Sequence, residues 1–325
     1  MRTLDTAWED IRPWLEGLED RRKAGVKRFW RAVPLAILAG AGAGVLAAIW
    51  NAPDPVAVIG GVLLAALVMG WGWAPLGELR TELKAGLNTR VAEAFGLRYA
   101  AEPPRPAGCR ELQAFGLLPG ADRTSFEDHF AGETHGADFE VYEAHLEQRR
   151  RTKKRTYYVT VFRGVIVRVS FPRTIEGVIL VARDMGVFNA FEGWGARTFG
   201  RAGRKLDRVG LVDPKFEKLF EVYGTDQVMA RYILTPSFME RLLRLEALLE
   251  GSNVRCVFDE TLAEGAGRGE LLIAAETGDK FEPGSVFSPL AEKERVRALY
   301  EEIALIEQIV STLVEPARLE DGTAS

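Results

Sequence analysis

The chain has 325 residues, a formal net charge of −4 and only two cysteines. A net negative charge argues against a general nucleic-acid binder, so no nucleic acid is expected as a partner. Cys109 and Cys256 lie far apart without a CxxC pair, which argues against a disulfide framework or a thiolate zinc site, and no cofactor is predicted.

Residues 1–31 predict a cytoplasmic leader that is amphipathic at its start and basic at its end. Apolar residues recur at spacings of three and four, which is typical of one face of a helix; they are Leu4, Trp8, Ile11, Leu15 and Leu18. Pro13 is expected to bend or divide this helix, because proline lacks a backbone donor.

Residues 32–75 predict a transmembrane helical hairpin. The spans 33–50 and 56–73 contain no charged side chain, and each rises about 27 Å as a helix, which is just enough to cross the hydrocarbon core. The connector at 51–55 contains two prolines and cannot continue a helix. The alternative interpretation is a buried pair of core helices.

Small residues recur along both spans and predict close packing between the two helices. The predicted packing positions are Ala36, Gly40, Gly44 and Ala48 in the first span and Ala57, Gly61 and Ala65 in the second. Basic residues flank both spans but are absent from the connector, so both termini are expected in the cytoplasm. The expected location is the inner (plasma) membrane of a bacterium.

The remaining chain predicts a helical stalk at 76–100, a Pro-rich linker at 101–123, a cytoplasmic α+β domain at 124–315 and a disordered tail at 316–325. Residues 124–183 alternate with a period of two, which predicts antiparallel strands. Helical patterns resume near Pro214, after Pro236 and near Pro289. The fold class is therefore α+β, with mainly antiparallel strands packed with helices that include a long C-terminal helix. A barrel-like sheet and an open sheet remain alternatives.

Two basic clusters are candidate contacts for lipid headgroups or other anions. They comprise Arg149, Arg150, Arg151, Lys153, Lys154 and Arg155, in the predicted turn at 149–155, and Arg201, Arg204 and Lys205. A cation near an anionic leaflet contributes about 1 kcal/mol to membrane attraction. Solvated loops that keep the protein soluble are the alternative.

The three histidines, His129, His135 and His145, lie in or beside an acidic stretch at 127–147. Strand alternation places Glu143, His145 and Glu147 on one face, where they could bind zinc or manganese. No HExxH or comparable ligand spacing is present, so a solvated strand face is favoured. These residues are kept as weak metal candidates, and no catalytic residue is assigned.

Two blocks of sequence resemble a family of uncharacterised bacterial membrane proteins that is classified as a domain of unknown function. The first block contains Ser125-Phe126-Glu127-Asp128, Gly132, Gly136, Phe139, Glu143, Leu146 and Val161-Phe162-Arg163-Gly164-Val165. The second contains Phe220-Glu221-Val222-Tyr223, Asp226-Gln227, Ala230-Arg231-Tyr232, Leu234-Thr235-Pro236 and Met239. With the hairpin, the resemblance spans residues 33–314. It implies a two-span inner-membrane protein with a cytosolic α+β domain, and it brings no catalytic residue.

The predicted function is a membrane-anchored interaction or adaptor module. The lipid bilayer and an unknown protein partner are the expected partners, with anionic headgroups as a further one. The alternative is a metal-dependent hydrolase that uses the stretch at 127–147.

Overall fold

The computed structural model describes residues 3–50, 53–134, 136–153, 155–171, 175–183, 206–211, 213–248, 252–259, 269–304, 308 and 310. The chain divides into a helical unit, Met1–Ala94 with Glu282–Tyr300, and a second unit, Phe95–Phe281 with Glu301–Ser325. The fold is α+β, as the sequence predicts.

The helical unit contains two long helices, α1 (Leu4–Ile49) and α2 (Asp54–Ala94). Pro13 does not divide the helix, because α1 is continuous from the leader into the first span. The buried positions Ala7, Ile11 and Leu15 keep the same phase on both sides of Pro13. Packing along this stripe therefore compensates for the single backbone hydrogen bond that a proline removes.

Both long helices contain a stretch that is long and apolar enough to cross a membrane. Only 11% of each apolar window is buried within the protein. Many large apolar side chains of these stretches are exposed, among them Ile37, Leu38, Val62 and Leu67. A buried pair of core helices would hide such side chains, so this exposure disfavours that alternative.

The predicted stalk at 76–100 is helical only as far as Ala94, where α2 ends. Leu76, Leu79, Leu83 and Leu87 are fully or almost fully buried in the helical unit. Gly96 has a φ of +75°, which ends helical geometry. Residues Arg98–Ala100 then form strand β1.

The described residues of the second unit form nine strands and several helices. In chain order, after β1, the elements are α3 (Cys109–Ala114), β2 (Arg123–Thr134), β3 (Ala137–Arg151), β4 (Thr156–Phe171), β5 (Val178–Arg183), β6 (Asp207–Arg208), α4 (Pro214–Glu217), β7 (Phe220–Gly224), α5 (Gln227–Ile233), α6 (Pro236–Leu248), β8 (Ser252–Asp259) and β9 (Gly269–Glu276). Residues 293–304 form α7, which begins a few residues after the predicted start near Pro289. The residues of α7 up to Tyr300 belong to the helical unit, and those from Glu301 belong to the second unit.

The strands form one antiparallel sheet in the order β1-β2-β3-β4-β9-β8-β5-β7-β6. Within the described ranges, β1 and β6 lie at its two edges, as in an open sheet. Neither β6 nor β7 is predicted from the sequence. They are very short, and the helical signal at Pro214 obscures them, although α4 makes only one turn.

The Pro-rich linker predicted at 101–123 is instead part of the core. It contains α3, and Leu112, Phe115, Leu117 and Leu118 are almost fully buried. These side chains pack against Tyr142 and other residues of β3, β4, β8 and β9 on one face of the sheet. A short segment with this many large apolar residues lowers its free energy by covering a sheet face rather than by staying in water.

Candidate functional site

The hairpin of β3 and β4 extends beyond the rest of the sheet. Pairing with β2 stops at Glu147, and pairing with β9 begins only at Val165. Residues 148–153 and 155–159 therefore form a two-stranded ribbon, which we call the arm. Its register pairs Arg149 with Tyr158 and Arg150 with Tyr157. Strand β3 runs to Arg151, so the turn is shorter than the predicted turn at 149–155.

The arm exposes cations on both faces. Its exposed basic residues are Arg149, Arg150, Arg151, Lys153 and Arg155. No carboxylate of the described residues forms an ion pair with them. Tyr157 is 43% exposed and Val159 is 39% exposed, while the ring centroid of Tyr158 lies 3.5 Å from the guanidinium carbon of Arg123. The arm thus combines uncompensated positive charge with exposed aromatic and aliphatic surface.

Four of the nine residues predicted to contact lipid or anions lie outside the described residues. They are Lys154, Arg201, Arg204 and Lys205. The five that are described all belong to the arm, so the first predicted cluster is a surface on one element.

A second polar feature crosses four neighbouring strands on the face that carries α3. Arg168 on β4 donates to Glu270 on β9 through two nitrogens, with Nε at 2.9 Å from Oε2, and donates to Glu140 on β3 at 3.0 Å. The second carboxylate oxygen of Glu140 lies 3.2 Å from Nε2 of His129 on β2. We call these four residues the ionic ladder.

Two members of the ionic ladder are held in their ionised forms. The hydrogen bond with His129, together with the charge of Arg168, lowers the pKa of the Glu140 carboxyl below its usual value. The hydrogen bond to Glu270 raises the pKa of Arg168 above its usual value. A carboxylate that is already stabilised as an anion is a weak base at neutral pH, so Glu140 and Arg168 supply fixed charge rather than proton transfer.

The ionic ladder borders a cavity of about 550 Å³. Its polar lining includes Arg98, Glu133, Asp138, Glu140, Arg168, Ser170 and Glu270. Glu133 and Asp138 are directly opposite each other on β2 and β3, so two like charges face the same space. The sequence contains a signal for one member of the ladder, Arg168, but not for its partners. Arg168 follows Phe162 and Ile166 at even spacing, which places a charge on an otherwise buried face.

Two of the three weak metal candidates, Glu143 and His145, have other partners. Glu143 is buried and accepts the Lys280 backbone N–H at 2.6 Å, and Nε2 of His145 lies 2.8 Å from the Thr160 hydroxyl. His129 belongs to the ladder, and His135 lies outside the described residues. No three His, Cys, Asp or Glu side chains converge as metal ligands in the part of the chain that is described. The geometry therefore offers no support for the hydrolase alternative.

Several of the predicted packing residues of the hairpin lie where α1 and α2 approach each other, whereas Gly44 does not. A Cβ added at Gly40 would lie 3.4 Å from the Gly61 carbonyl oxygen, and one at Gly61 would lie 3.0 Å from the Gly40 carbonyl oxygen. Ala36 is buried, and Ala57 and Ala65 are half-buried; a Cβ at Gly40 would lie 3.6 Å from the Ala65 Cβ. Gly44 has no neighbour within 4 Å of an added Cβ, and the Ala48 side chain is outside the described set.

The close approach of α1 and α2 is tighter at a glycine that the small-residue pattern does not include. A Cβ added at Gly72 would lie 2.4 Å from the Ala32 Cβ. Gly72 lies between Trp71 and Trp73 near the end of the second span, where the tryptophans obscure the small-residue spacing.

The two cysteines are buried and unreactive in character. Burial raises the pKa of the Cys109 thiol to about 11 and also raises the pKa of the Cys256 thiol. A neutral thiol is a poor nucleophile and a poor metal ligand. Neither residue is therefore a candidate active-site group.

The described residues define a protein class: an α+β domain with a nine-stranded antiparallel sheet, joined to a long two-helix hairpin. Residues 160–314 match the family model described as "Protein of unknown function (DUF3137)". The match includes the second block of the expected resemblance and the end of the first block. The hairpin and the rest of the first block lie outside it.

No curated protein matches the chain. Among solved structures, the chain is similar to the crystal structure of the mycobacterial trehalose monomycolate transport factor A, TtfA, with 12% sequence identity and a TM-score of 0.33. The alignment covers 71% of this chain and 97% of that chain. A likeness this low carries no inference about function.

Proposed function

We propose that the protein is a membrane-anchored interaction module whose second unit docks, through the arm, on anionic phospholipid headgroups of the cytoplasmic leaflet. The observation that carries this proposal is the arm, a ribbon with five exposed cations that have no described carboxylate partner. An isolated two-stranded ribbon is marginally stable in water. We therefore infer that this extension is present to bind an anionic surface through its exposed cations.

The composition of the arm suits a lipid surface. Each cation near an anionic leaflet contributes about 1 kcal/mol, so five cations provide a useful attraction even when only some of them reach it. Tyr157 and Tyr158 can place their rings at the headgroup level, where aromatic side chains with a polar end are favoured. The covalent anchor raises the effective concentration of the leaflet at the arm.

The proposal also requires that the arm and both termini lie in the cytoplasm of a bacterial cell. The basic residues that flank the two spans support this topology, because positively charged flanks stay on the cytoplasmic side. We expect a membrane-impermeant maleimide to label Asn51→Cys in intact cells and to label Gly17→Cys only after lysis. Gly17 is exposed and has no neighbour within 4 Å of an added Cβ. The reverse labelling pattern would rule out this topology.

Docking is tested with the full chain in nanodiscs, by amide hydrogen exchange of residues 148–159. We expect slower exchange in nanodiscs that contain phosphatidylglycerol than in pure phosphatidylcholine, and we expect the difference to shrink at high salt because salt screens exposed charges. The double variant Arg149→Glu/Arg151→Glu should lose the protection.

The matched control is Lys215→Glu/Lys218→Glu, which reverses two exposed charges near α4. This control should keep the protection by phosphatidylglycerol. Equal exchange of the arm in the two lipid compositions would contradict docking on anionic headgroups. Equal loss of protection in both double variants would show that net charge, rather than the arm, is responsible.

A further inference from the structure

One edge of the sheet is only partly paired. Strand β1 pairs with β2 at residues His129–Ala131 and no further. Residues 123–127 of β2 pair with β3 on one side, and no other strand within the described residues lies on their second side. Arg123, Thr124, Ser125 and Glu127 are exposed. An unpaired stretch of this kind can accept a further strand.

The backbone direction along this stretch follows from the strand register and from the hydrogen bonds of β3. The Thr152 N–H donates to the Arg155 carbonyl at 2.9 Å, so even-numbered residues at this end of the hairpin point toward β4. Because backbone groups alternate in direction along an antiparallel strand, Glu147 and His145 point toward β2, and the Glu147 carbonyl accepts the Asp122 N–H at 2.9 Å. Their partners Arg123 and Ser125 therefore face β3, and the N–H and C=O groups of Thr124 and Phe126 point away from it.

Across from this edge lies the proline-rich segment 102–106. The Asp128 N–H donates to the Ala101 carbonyl at 3.1 Å, which is where the segment leaves β2. Pro103, Pro104 and Pro106 have no N–H and cannot complete a ladder with the edge. Instead, the segment and the edge line a groove of about 900 Å³ that reaches α3. We call it the edge groove.

The far wall of the edge groove is fixed before any ligand binds. The Tyr142 hydroxyl donates to the Ala107 carbonyl at 2.7 Å, and the Gly108 N–H donates to the Glu111 carboxylate at 3.0 Å. Tyr142 is itself completely buried. A preformed groove binds a ligand without the cost of ordering its own walls.

The edge groove is acidic. Its lining contains four carboxylates, Glu102, Glu111, Asp122 and Glu127, and two guanidinium groups, Arg105 and Arg110. The Glu127 side chain lies on the sheet face opposite α3, where it interacts with the charge of Arg163. One negative charge is therefore in excess among the other lining residues, and it favours a ligand that carries lysine or arginine.

We propose that the edge groove binds an extended, basic peptide segment of a partner protein, which adds as a strand beside residues 123–127 of β2. Main-chain hydrogen bonds to an edge give affinity in this mode, and alternate side chains give specificity. Five residues of an added strand span about 16 Å. Alternate side chains of that strand point toward the wall formed by Pro103–Pro106 and α3. This site is separate from the arm and does not depend on lipid docking.

The test uses the full chain in phosphatidylcholine nanodiscs, which bear no net charge that could attract the probe. The probe is the fluorescein-labelled peptide Thr-Lys-Val-Lys-Val-Lys-Thr, and its affinity is measured by fluorescence anisotropy. Two further peptides replace all lysines with glutamate, or the central lysine with proline. We expect the basic peptide to bind and both others to bind at least about tenfold more weakly, because they lose charge complementarity or a ladder donor.

The matched variants are Thr124→Pro and Thr124→Ala. The Thr124 N–H points away from β3 at the groove, so proline removes a donor without breaking the ladder with β3, and edge strands tolerate proline at such positions. We expect Thr124→Pro to weaken binding of the basic peptide roughly tenfold and Thr124→Ala to leave it unchanged. Unaltered far-UV circular dichroism verifies that both variants fold.

Three results would overturn the proposal. The first is no binding of the basic peptide at about 1 mM. The second is equal binding of the acidic and basic peptides. The third is a concentration-dependent dimer that Thr124→Pro abolishes and that excludes the peptide, since this would assign the edge to a second copy of the chain.

Discussion

At the scale of single residues, Arg168 shows how a charge can be placed inside a sheet. Its guanidinium contacts two carboxylates on the neighbouring strands, Glu140 on one side and Glu270 on the other. A half-buried arginine with one partner would leave donors unsatisfied, and each unsatisfied group costs free energy. The two-sided arrangement therefore stabilises β3, β4 and β9 in one register.

The pH dependence of stability follows from Glu140. Its folded-state pKa lies below the ordinary value of 4.5, so its stabilisation is fully present above pH 4.5 and is lost as pH falls through the lower folded-state pKa. We expect Glu140→Gln to lower the free energy of unfolding by about 2 kcal/mol at pH 7. The difference from wild type should shrink as the pH falls below about 4.5.

The measurement for Glu140→Gln is denaturant unfolding in detergent at several pH values. Glu133→Gln is the control, because Glu133 lies in the same cavity lining but is exposed. A stability difference for Glu140→Gln that persists unchanged to acidic pH would contradict the role of the ionised carboxylate.

At the scale of elements, the sequence predicts periodic structure well and buried irregular structure poorly. The two long helices, the strands β3, β4, β8 and β9, and the helix after Thr235 all have regular spacing of apolar residues, and the structure contains each of them. The segment 101–123 was predicted as a linker because its prolines dominate the local pattern. Its burial depends on the sheet face it covers, which is not a local property.

The arm and the ionic ladder also differ in how far the sequence predicts them. The arm is visible in the sequence because six of the seven residues at 149–155 are cationic. The ionic ladder is not, because its members come from four strands and meet only through the register of β2, β3, β4 and β9. Contacts set by strand register require the strand order, which the sequence leaves open.

The packing of α1 against α2 gives a prediction for the hairpin. An alanine at Gly72 would place its Cβ 2.4 Å from the Ala32 Cβ, whereas an alanine at Gly70 meets no atom within 4 Å. We expect Gly72→Ala to lower stability by about 1–3 kcal/mol through overpacking. Gly70→Ala should have no such cost, since alanine favours the helix over glycine.

Thermal unfolding of the two glycine variants in the same detergent distinguishes them. A lower midpoint for Gly72→Ala alone supports the close helix contact. Equal midpoints for the two variants would show that α1 and α2 do not approach at Gly72.

At the scale of the whole molecule, the helical unit is discontinuous in sequence. Residues 282–300 belong to it although they follow the sheet. Glu19 on α1 accepts the Leu290 N–H at 3.1 Å, Arg22 donates to the Phe287 carbonyl at 3.0 Å, and Lys84 on α2 pairs with Glu282 at 2.7 Å. Local patterns do not show this return of the chain, so the sequence-based division placed these residues in the soluble domain.

This discontinuity determines how late in translation the helical unit can be completed. After α2 ends at Ala94, roughly 190 residues must be translated before the segment from Glu282 emerges, which takes about 10–40 s at ordinary rates of synthesis. During that interval the contacts of Glu19 with Leu290, of Arg22 with Phe287 and of Lys84 with Glu282 cannot form. The helical unit is therefore the first part of the chain to begin and one of the last to be completed.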